Sequence, residues 1–303
     1  MTDVSLLICT RDRSASLAAT LASVARAVAA ARDVAVEVIV VDNGSRDDTP
    51  ALLARWQAAQ RVAVRLVHEP RPGLARARNA GLAVAGGAIV ALTDDDCILH
   101  PDYVTALVRA FAETTAPAII GGRILLGDPT DRPVTVKLED HPMIADPRVF
   151  PGGFVMGANL AFGRDVLARV GTFDERFGAG ARFVAAEDTD FMLRASRHGI
   201  ALLYDPYIVV DHHHGRRSTA DETRLLAGYS YGDGALYAKH VLRDRRVLHY
   251  IAADLAAGLH ELAHPTPHHA GIRRFHRFRL AHKTAGFAAY LRAALVDRIR
   301  AIR

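Results

Sequence analysis

Over its first 125 residues the chain alternates short apolar runs, rich in β-branched residues, with longer stretches of helical spacing. Residues 4–9 form the first run and predict a strand. Residues 17–31 read as a helix, with Ser14 or Ser16 available as the N-cap. Residues 36–41 are apolar apart from Glu37, as expected of a strand buried on both faces. Asn43-Gly44-Ser45 then turns the chain, and Asp48 or Thr49 caps a helix that runs to about residue 59. A third strand over 62–67, a loop over 70–73, a helix over 74–84 and a fourth strand over 88–92 complete the series. This rhythm predicts an α/β fold, Rossmann-like, with a mostly parallel central sheet and helices on both faces.

The pattern loosens after residue 100. Another helix and another strand fit residues 101–126. Residues 127–153, rich in Pro, Gly and Asp, read as a mobile loop region. Residues 173–180 read as a helical turn followed by a Gly-rich loop. A helix over 188–198 is ended by Gly199, and 200–204 and 208–210 are strand-like. Beyond His212-His213-His214 the composition is helical and basic to the end.

Composition changes this picture little, but charge changes it more. Half of the chain is hydrophobic and 23% is charged, so a packed core is expected. Only three of the 38 basic residues are lysine, which with the many alanines fits a GC-rich bacterial genome. Cys9 and Cys97 give no disulfide framework and read as reduced core residues. Residues 241–303 carry 12 Arg and Lys against 4 Asp and Glu, so the rest of a chain of net charge +5 sums to −3. A mildly acidic body with a basic tail points to an anionic surface for the tail and to no nucleic-acid partner. Met1-Thr2-Asp3 lacks the basic start of a signal peptide, and no run reaches the ~18 apolar residues that span a bilayer. A cytoplasmic location is therefore expected, either free or peripheral at the cytoplasmic face of the inner membrane.

Ligands of open α/β sheets gather beyond the carboxyl ends of the strands, and the polar clusters fall there. Strand one ends at Thr10-Arg11-Asp12-Arg13, strand two at Asp42-Asn43, and strand four at Asp94-Asp95-Asp96. Three adjacent carboxylates repel one another, and a hard cation such as Mg²⁺ or Mn²⁺ would relieve them. A solvated acidic helix cap is the plainer alternative. Glu187-Asp188 opens a helix, either to complement its dipole or to supply a carboxylate base. One imidazole of His212–His214 could complete a metal site. Arg76 and Arg78 could meet diphosphate oxygens or line a solvated helix face. His260-Glu261-Leu262-Ala263-His264 matches a zinc-peptidase pattern, but Pro265 and Pro267 break its helix, and only His268 or His269 offers a third ligand. Dinucleotide, Walker A and nucleophile-elbow signatures are missing.

Together these pieces resemble the family-2 glycosyltransferases of the GT-A fold. The resemblance rests on VSLLICTRDR (4–13), VEVIVVDNGSRDDT (36–49), PGLARARNAGLAVAGGAIVALTDDD (72–96), GANLAFGRDVLARVGTFDERFG (157–178) and AEDTDFMLRASRHG (186–199). It implies a catalytic domain over 1–215, with a nucleotide-sugar half (1–126) and an acceptor half (127–215), followed by a basic helical extension over 216–303. It also implies roles. Thr10 and Arg11 would line the nucleotide pocket, Asp42 would meet the base and Arg78 the base or phosphates. Asp94 would face the ribose, with Asp95 beside it. Asp96, joined by His212, would hold Mn²⁺ or Mg²⁺, and Asp188 would be the base, with Glu187 beside it. The implied reaction moves a sugar from a nucleoside-diphosphate sugar to a saccharide or lipid-linked acceptor, with inversion, in polysaccharide or glycolipid synthesis. A sugar nucleotidyltransferase is the nearer alternative and a zinc peptidase the remoter one. The basic amphipathic stretch 271–303 would lie on a membrane, pack on the catalytic domain, or join a homodimer.

Overall fold

The computed structural model describes residues 2–264 and 271–302. Its first half follows the predicted rhythm: β1 (Val4–Thr10), α1 (Leu17–Ala30), β2 (Val36–Asp42), α2 (Thr49–Ala59), β3 (Ala63–His68), α3 (Leu74–Val84) and β4 (Ile89–Asp94). Then come β5 (Cys97–Leu99), α4 (Tyr103–Ala112), β6 (Ala118–Leu126), β7 (Met143–Ile144), β8 (Asn159–Gly163), α5 (Arg164–Val170), α6 (Glu187–Arg197) and β9 (Ala201–His212). Three long helices follow: α7 (Thr219–His240), α8 (Arg246–Ala263) and α9 (Phe275–Ile302).

The strands lie in the order β3-β2-β1-β4-β8-β6-β9-β5, with β7 also paired to β9. Pairing is parallel from β3 to β4. Antiparallel β8 then joins β4 to β6, and β6 runs parallel to β9. Successive side chains of a strand point to opposite faces, and the two cores follow that alternation. Val4, Leu6, Ile8, Val38 and Val40 pack with Leu21 and Val24 of α1 and Val104 and Leu107 of α4. Leu7, Ile39 and Val41 face the other way, onto Ala75 and Ala77 of α3, Val166 of α5 and Phe191 of α6. Helices thus cover both faces, as the continuous apolar strands require.

Three expectations are corrected. The two strand-like stretches expected over 200–204 and 208–210 form a single strand, β9, from Ala201 to His212, which runs through Pro206 with a bulge opposite Gly122 and Arg123. Asn159 makes the bulge tolerable: its amide nitrogen donates to the carbonyls of Arg123 and Ile208, and its oxygen accepts from Tyr103. Residues 127–153 are tied to the sheet rather than loose. They contain β7, a bridge from Lys137 to Ile124, and a buried Asp131. Finally, β8, of five residues, and α5, of seven, form where no element was expected.

The C-terminal helices are not detached. A third core joins Phe177, Phe183 and Leu193 to Leu236 and Tyr237 of α7, Val247 and Tyr250 of α8 and Ala293 of α9. Helices α7 and α9 touch backbone to backbone. A Cβ on Gly286 would clash with the Tyr231 carbonyl oxygen, and one on Gly234 with that of Lys283. Gly286→Ala is therefore expected to cost about 1–3 kcal/mol, as overpacking does. A urea-unfolding midpoint equal to that of the native chain would refute the close contact.

Candidate active site

In-register pairing brings the ends of β1, β2 and β4 together: Thr10 stands opposite Asp42, and Cys9 opposite Asp94. Asp42 accepts from the Ser45 amide at 2.9 Å and lies 3.1 Å from Nδ1 of His68. Asn43 staples the neighbouring loop by donating to the carbonyls of Glu69 and Arg71 and accepting from the Gly73 amide. Thr10 is buried on this edge. Arg11 stands at its rim, 3.5 Å from Asp12.

Asp94-Asp95-Asp96 makes the tight turn between β4 and β5. Because β5 pairs with β9, Cys97 falls opposite His212. The result is a close donor pair, with His212 Nε2 3.2 Å from Asp96 Oδ1. Thr135 Oγ1 lies 3.2 Å from Nδ1 of the same ring. Arg13, rather than Arg11, reaches the aspartates, at 3.2 Å from Asp96 and 3.6 Å from Asp95. Burial pushes the Asp96 carboxyl up, but the hydrogen bond and charge of His212, then Arg13, outweigh it and leave the group below its ordinary range. Burial lowers His212 and Asp96 outweighs that, so the imidazole is raised. Asp95 is pushed up to about 6 by burial, with Arg13 opposing.

Glu187 and Asp188 form the first turn of α6, entered through Ala186 in the left-handed region (φ 72°). Such a conformation is uncommon for a residue with a Cβ, and here it turns the chain directly into the two carboxylates. Asp188 Oδ2 accepts from the Gly157 amide at 2.9 Å, and its Oδ1 from the Thr189 amide. Arg78 joins this acidic group to the first. It is 3% exposed and donates to Glu187 at 2.9 Å, Asp94 at 3.4 Å and the Gly157 carbonyl at 3.3 Å. Burial, then Asp188, pushes Glu187 up to about 7, against the pull of Arg78.

A cleft of about 450 Å³ opens over these residues, and Arg78, Asp94, Glu187, Asp188 and His212 all line it. Its other wall comes from the C-terminal helices: Leu226, Tyr229 and Asp233 of α7 with Phe275 and Arg279 of α9. Sequence reasoning placed none of these five in the cleft, and gave neither Arg13 nor Gly157 a role there. Arg13 alone had a local signal, since it shares the polar end of strand one. The helical wall meets the cleft only through tertiary packing.

Five carboxylates (Asp94, Asp95, Asp96, Glu187 and Asp188) thus share two strongly placed cations, Arg13 and Arg78. The upward displacement of Asp95 and Glu187 has the same first cause, burial, to which the neighbouring carboxylates add. The clustering of these carboxylates and the Asp96–His212 donor pair fit a divalent cation. Among the described residues, Asp96, Cys97 and His212 form the single group of three that brings potential ligand atoms within 4.8 Å. Burial first, then Asp94 and Asp96, raises the Cys97 thiol well above its ordinary value, so it is a poor ligand for a hard ion. The pair His260 and His264 forms no such group: the rings stack 4.5 Å apart, while Glu261 turns inward and accepts from the amides of His276 and Arg277. A carboxylate occupied in capping α9 is not poised as a base, and His268 and His269 lie outside the described residues.

Similar proteins share this architecture. A mannosyltransferase from Pyrobaculum calidifontis, solved with GDP-mannose and Mn²⁺, superimposes with a TM-score of 0.58 at 20% identity, over 99% of this chain and 79% of that one. In sequence, the chain is 26% identical over 169 residues to the glycosyltransferase AglE of Haloferax volcanii, covering 55% of this chain and 53% of AglE. It is 25% identical over 219 residues to the glucosyl-dolichyl phosphate glucuronosyltransferase of the same organism, covering 69% and 68%. The chain thus spans about half the length of AglE. The family model for glycosyl transferase family 2 matches residues 5–171, and that for glycosyl transferase family group 2 matches 89–296. A GT-A sheet with its acidic clusters at the carboxyl edge and a family match over more than half of its length establish that this chain belongs to glycosyl transferase family 2.

Proposed function

We propose that the chain transfers a glycosyl unit from a nucleoside-diphosphate sugar to an acceptor hydroxyl, by a single displacement that inverts the anomeric centre. One observation carries this reading: Asp188 and Asp94 line the same cleft from opposite halves of the chain, with the Asp96–His212 pair at its edge. In this reading Thr10, Arg11 and Asp42 serve the nucleoside end and Asp94 the ribose, with Asp95 behind it. Asp96 and His212 would hold Mn²⁺ or Mg²⁺, and a bound divalent ion supplies charge to offset that of the leaving diphosphate. Asp188, steadied by the Gly157 amide, takes the proton of the acceptor hydroxyl as oxygen attacks the anomeric carbon. Glu187 stays beside it, held by Arg78. Arg78 is engaged by carboxylates on two sides, so we assign it to positioning Asp94 and Glu187 rather than to the base or phosphates. We further assign the wall from α7 and α9 to the acceptor, and on that reading the helical region belongs to the catalytic unit.

The reading is tested by incubating the protein with a panel of nucleoside-diphosphate sugars and saccharide acceptors, and measuring release of nucleoside diphosphate and the anomeric configuration of the product. Retention of configuration would overturn the single displacement. Loss of a ligand costs metal affinity at least as much as loss of an outer partner, about 10- to 100-fold. Asp96→Ala is therefore expected to weaken Mn²⁺ by that factor or more in a spectroscopic titration, and unchanged Mn²⁺ binding would remove Asp96 from the site.

A further inference from the structure

Helix α8 is built inside out. Its acidic residues turn inward: Asp254 accepts from Lys283 at 2.6 Å and from the Tyr237 hydroxyl at 2.9 Å, and Glu261 accepts from two amides of α9. Its leucines turn outward. Leu248, Leu255, Leu259 and Leu262 are between 46% and 65% exposed. Their spacings of seven, four and three residues draw one stripe along the helix, widened by exposed Ala252, Ala256 and Ala263. Among the described residues of α8 after Arg246, the solvent side carries leucine, alanine and histidine and no Asp, Glu, Lys or Arg.

The charges stand beyond the two ends of the stripe and share one sign. Arg243 and Arg245 are exposed just before α8, Arg273 and Arg274 just before α9, and Arg277 in its first turn. The acid between the first pair, Asp244, is buried against Arg246. The stripe is a surface feature, since its leucines are exposed, and no helix among the described residues is long and apolar enough to cross a membrane.

We propose that this face of α8 docks on an anionic lipid bilayer, leucines in the interface and flanking arginines on the headgroups. The pattern is that of an in-plane amphipathic helix, where apolar area and attraction to anionic lipid act together. A second copy of the chain fits the face less well. Two such stripes laid together bring arginines against arginines at both ends, and like charges oppose that contact. The proposal stands apart from the reaction assigned above, because none of these leucines lines the cleft.

The test is flotation of the full chain with vesicles of phosphatidylcholine alone, or with about one-third phosphatidylglycerol. The native protein is expected to float with the anionic vesicles and not with the neutral ones. The double variant Leu255→Glu/Leu259→Glu should lose at least about tenfold in partitioning. Arg243→Glu/Arg245→Glu, which leaves the stripe intact, should lose a similar factor. All four residues are exposed, so unchanged thermal unfolding checks that each variant is folded. Absence of the native protein from the anionic vesicle fraction overturns the proposal, as does retained flotation of both folded variants. A concentration-dependent dimer that the leucine substitutions abolish, with no vesicle binding, assigns the face to a second copy instead.

Discussion

Asp188→Asn is expected to lower glycosyl transfer by about 10²–10⁴-fold while the donor still binds. The substitution keeps the shape of the side chain, and an asparagine oxygen can still accept from the Gly157 amide. It removes the ability to take a proton. Asp96 and His212 lie in the other acidic group, paired with each other, so donor affinity measured by calorimetry with Mn²⁺ should stay within about threefold, the usual scatter of single-contact effects. Rates taken at saturating donor isolate the acceptor step. Full activity in this variant would sink the assignment of Asp188 as base, and joint loss of binding and activity would move it to the donor site.

The second large effect is on stability. Arg78→Met should destabilise the fold by about 3–5 kcal/mol, the range for removing one partner of a buried ion pair. The guanidinium lies between Glu187 and Asp94, and among the described residues neither carboxylate has an ion pair with another cation. The loss should depend on pH, with a definite sign. Glu187 has a folded-state value raised from 4.5 to about 7. A group raised in this way contributes fully below its unfolded value, and that contribution disappears as pH rises through the folded one. A protonated Glu187 needs no counter-charge. The variant should therefore be nearer to the native protein at about pH 5 than at about pH 8. Chemical denaturation at the two pH values reads this directly, and a loss of equal size at both would mean that Glu187 is not the group left unpaired.

How much of this could be read from sequence follows from what local pattern encodes. Strands β1, β2 and β4 are buried on both faces, so their apolar runs stood out. The acidic clusters stood out because they directly follow such a strand or open a helix. The pairing of His212 with Asp96 came from family resemblance alone. Its physical cause is the register of β5 with β9, and β5 is three residues long. Arg78 was legible as a cation near the site, but not as the bridge between two acidic groups 93 residues apart, Asp94 and Glu187. The stretch 271–303, which contains Phe275, Arg279 and Phe287, was read as one amphipathic surface. The fold separates them: Phe275 and Arg279 line the cleft, while Phe287 packs into the third core. A helix that touches several neighbours has no single hydrophobic face to detect.

The glycine contacts between α7 and α9 have a consequence for how such a protein can diversify. Gly234 and Gly286 leave no room between the two backbones, so neither helix can shift relative to the other without opening a gap or a clash. On the proposed reading, in which the cleft receives the acceptor, new preferences arise by exchanging side chains that project from this rigid pair into it, at positions such as Leu226, Tyr229 and Phe275. Strands β1, β2 and β4 and the first turn of α6 can stay unaltered through such changes, so that one wall of the cleft can drift while the residues facing it are held.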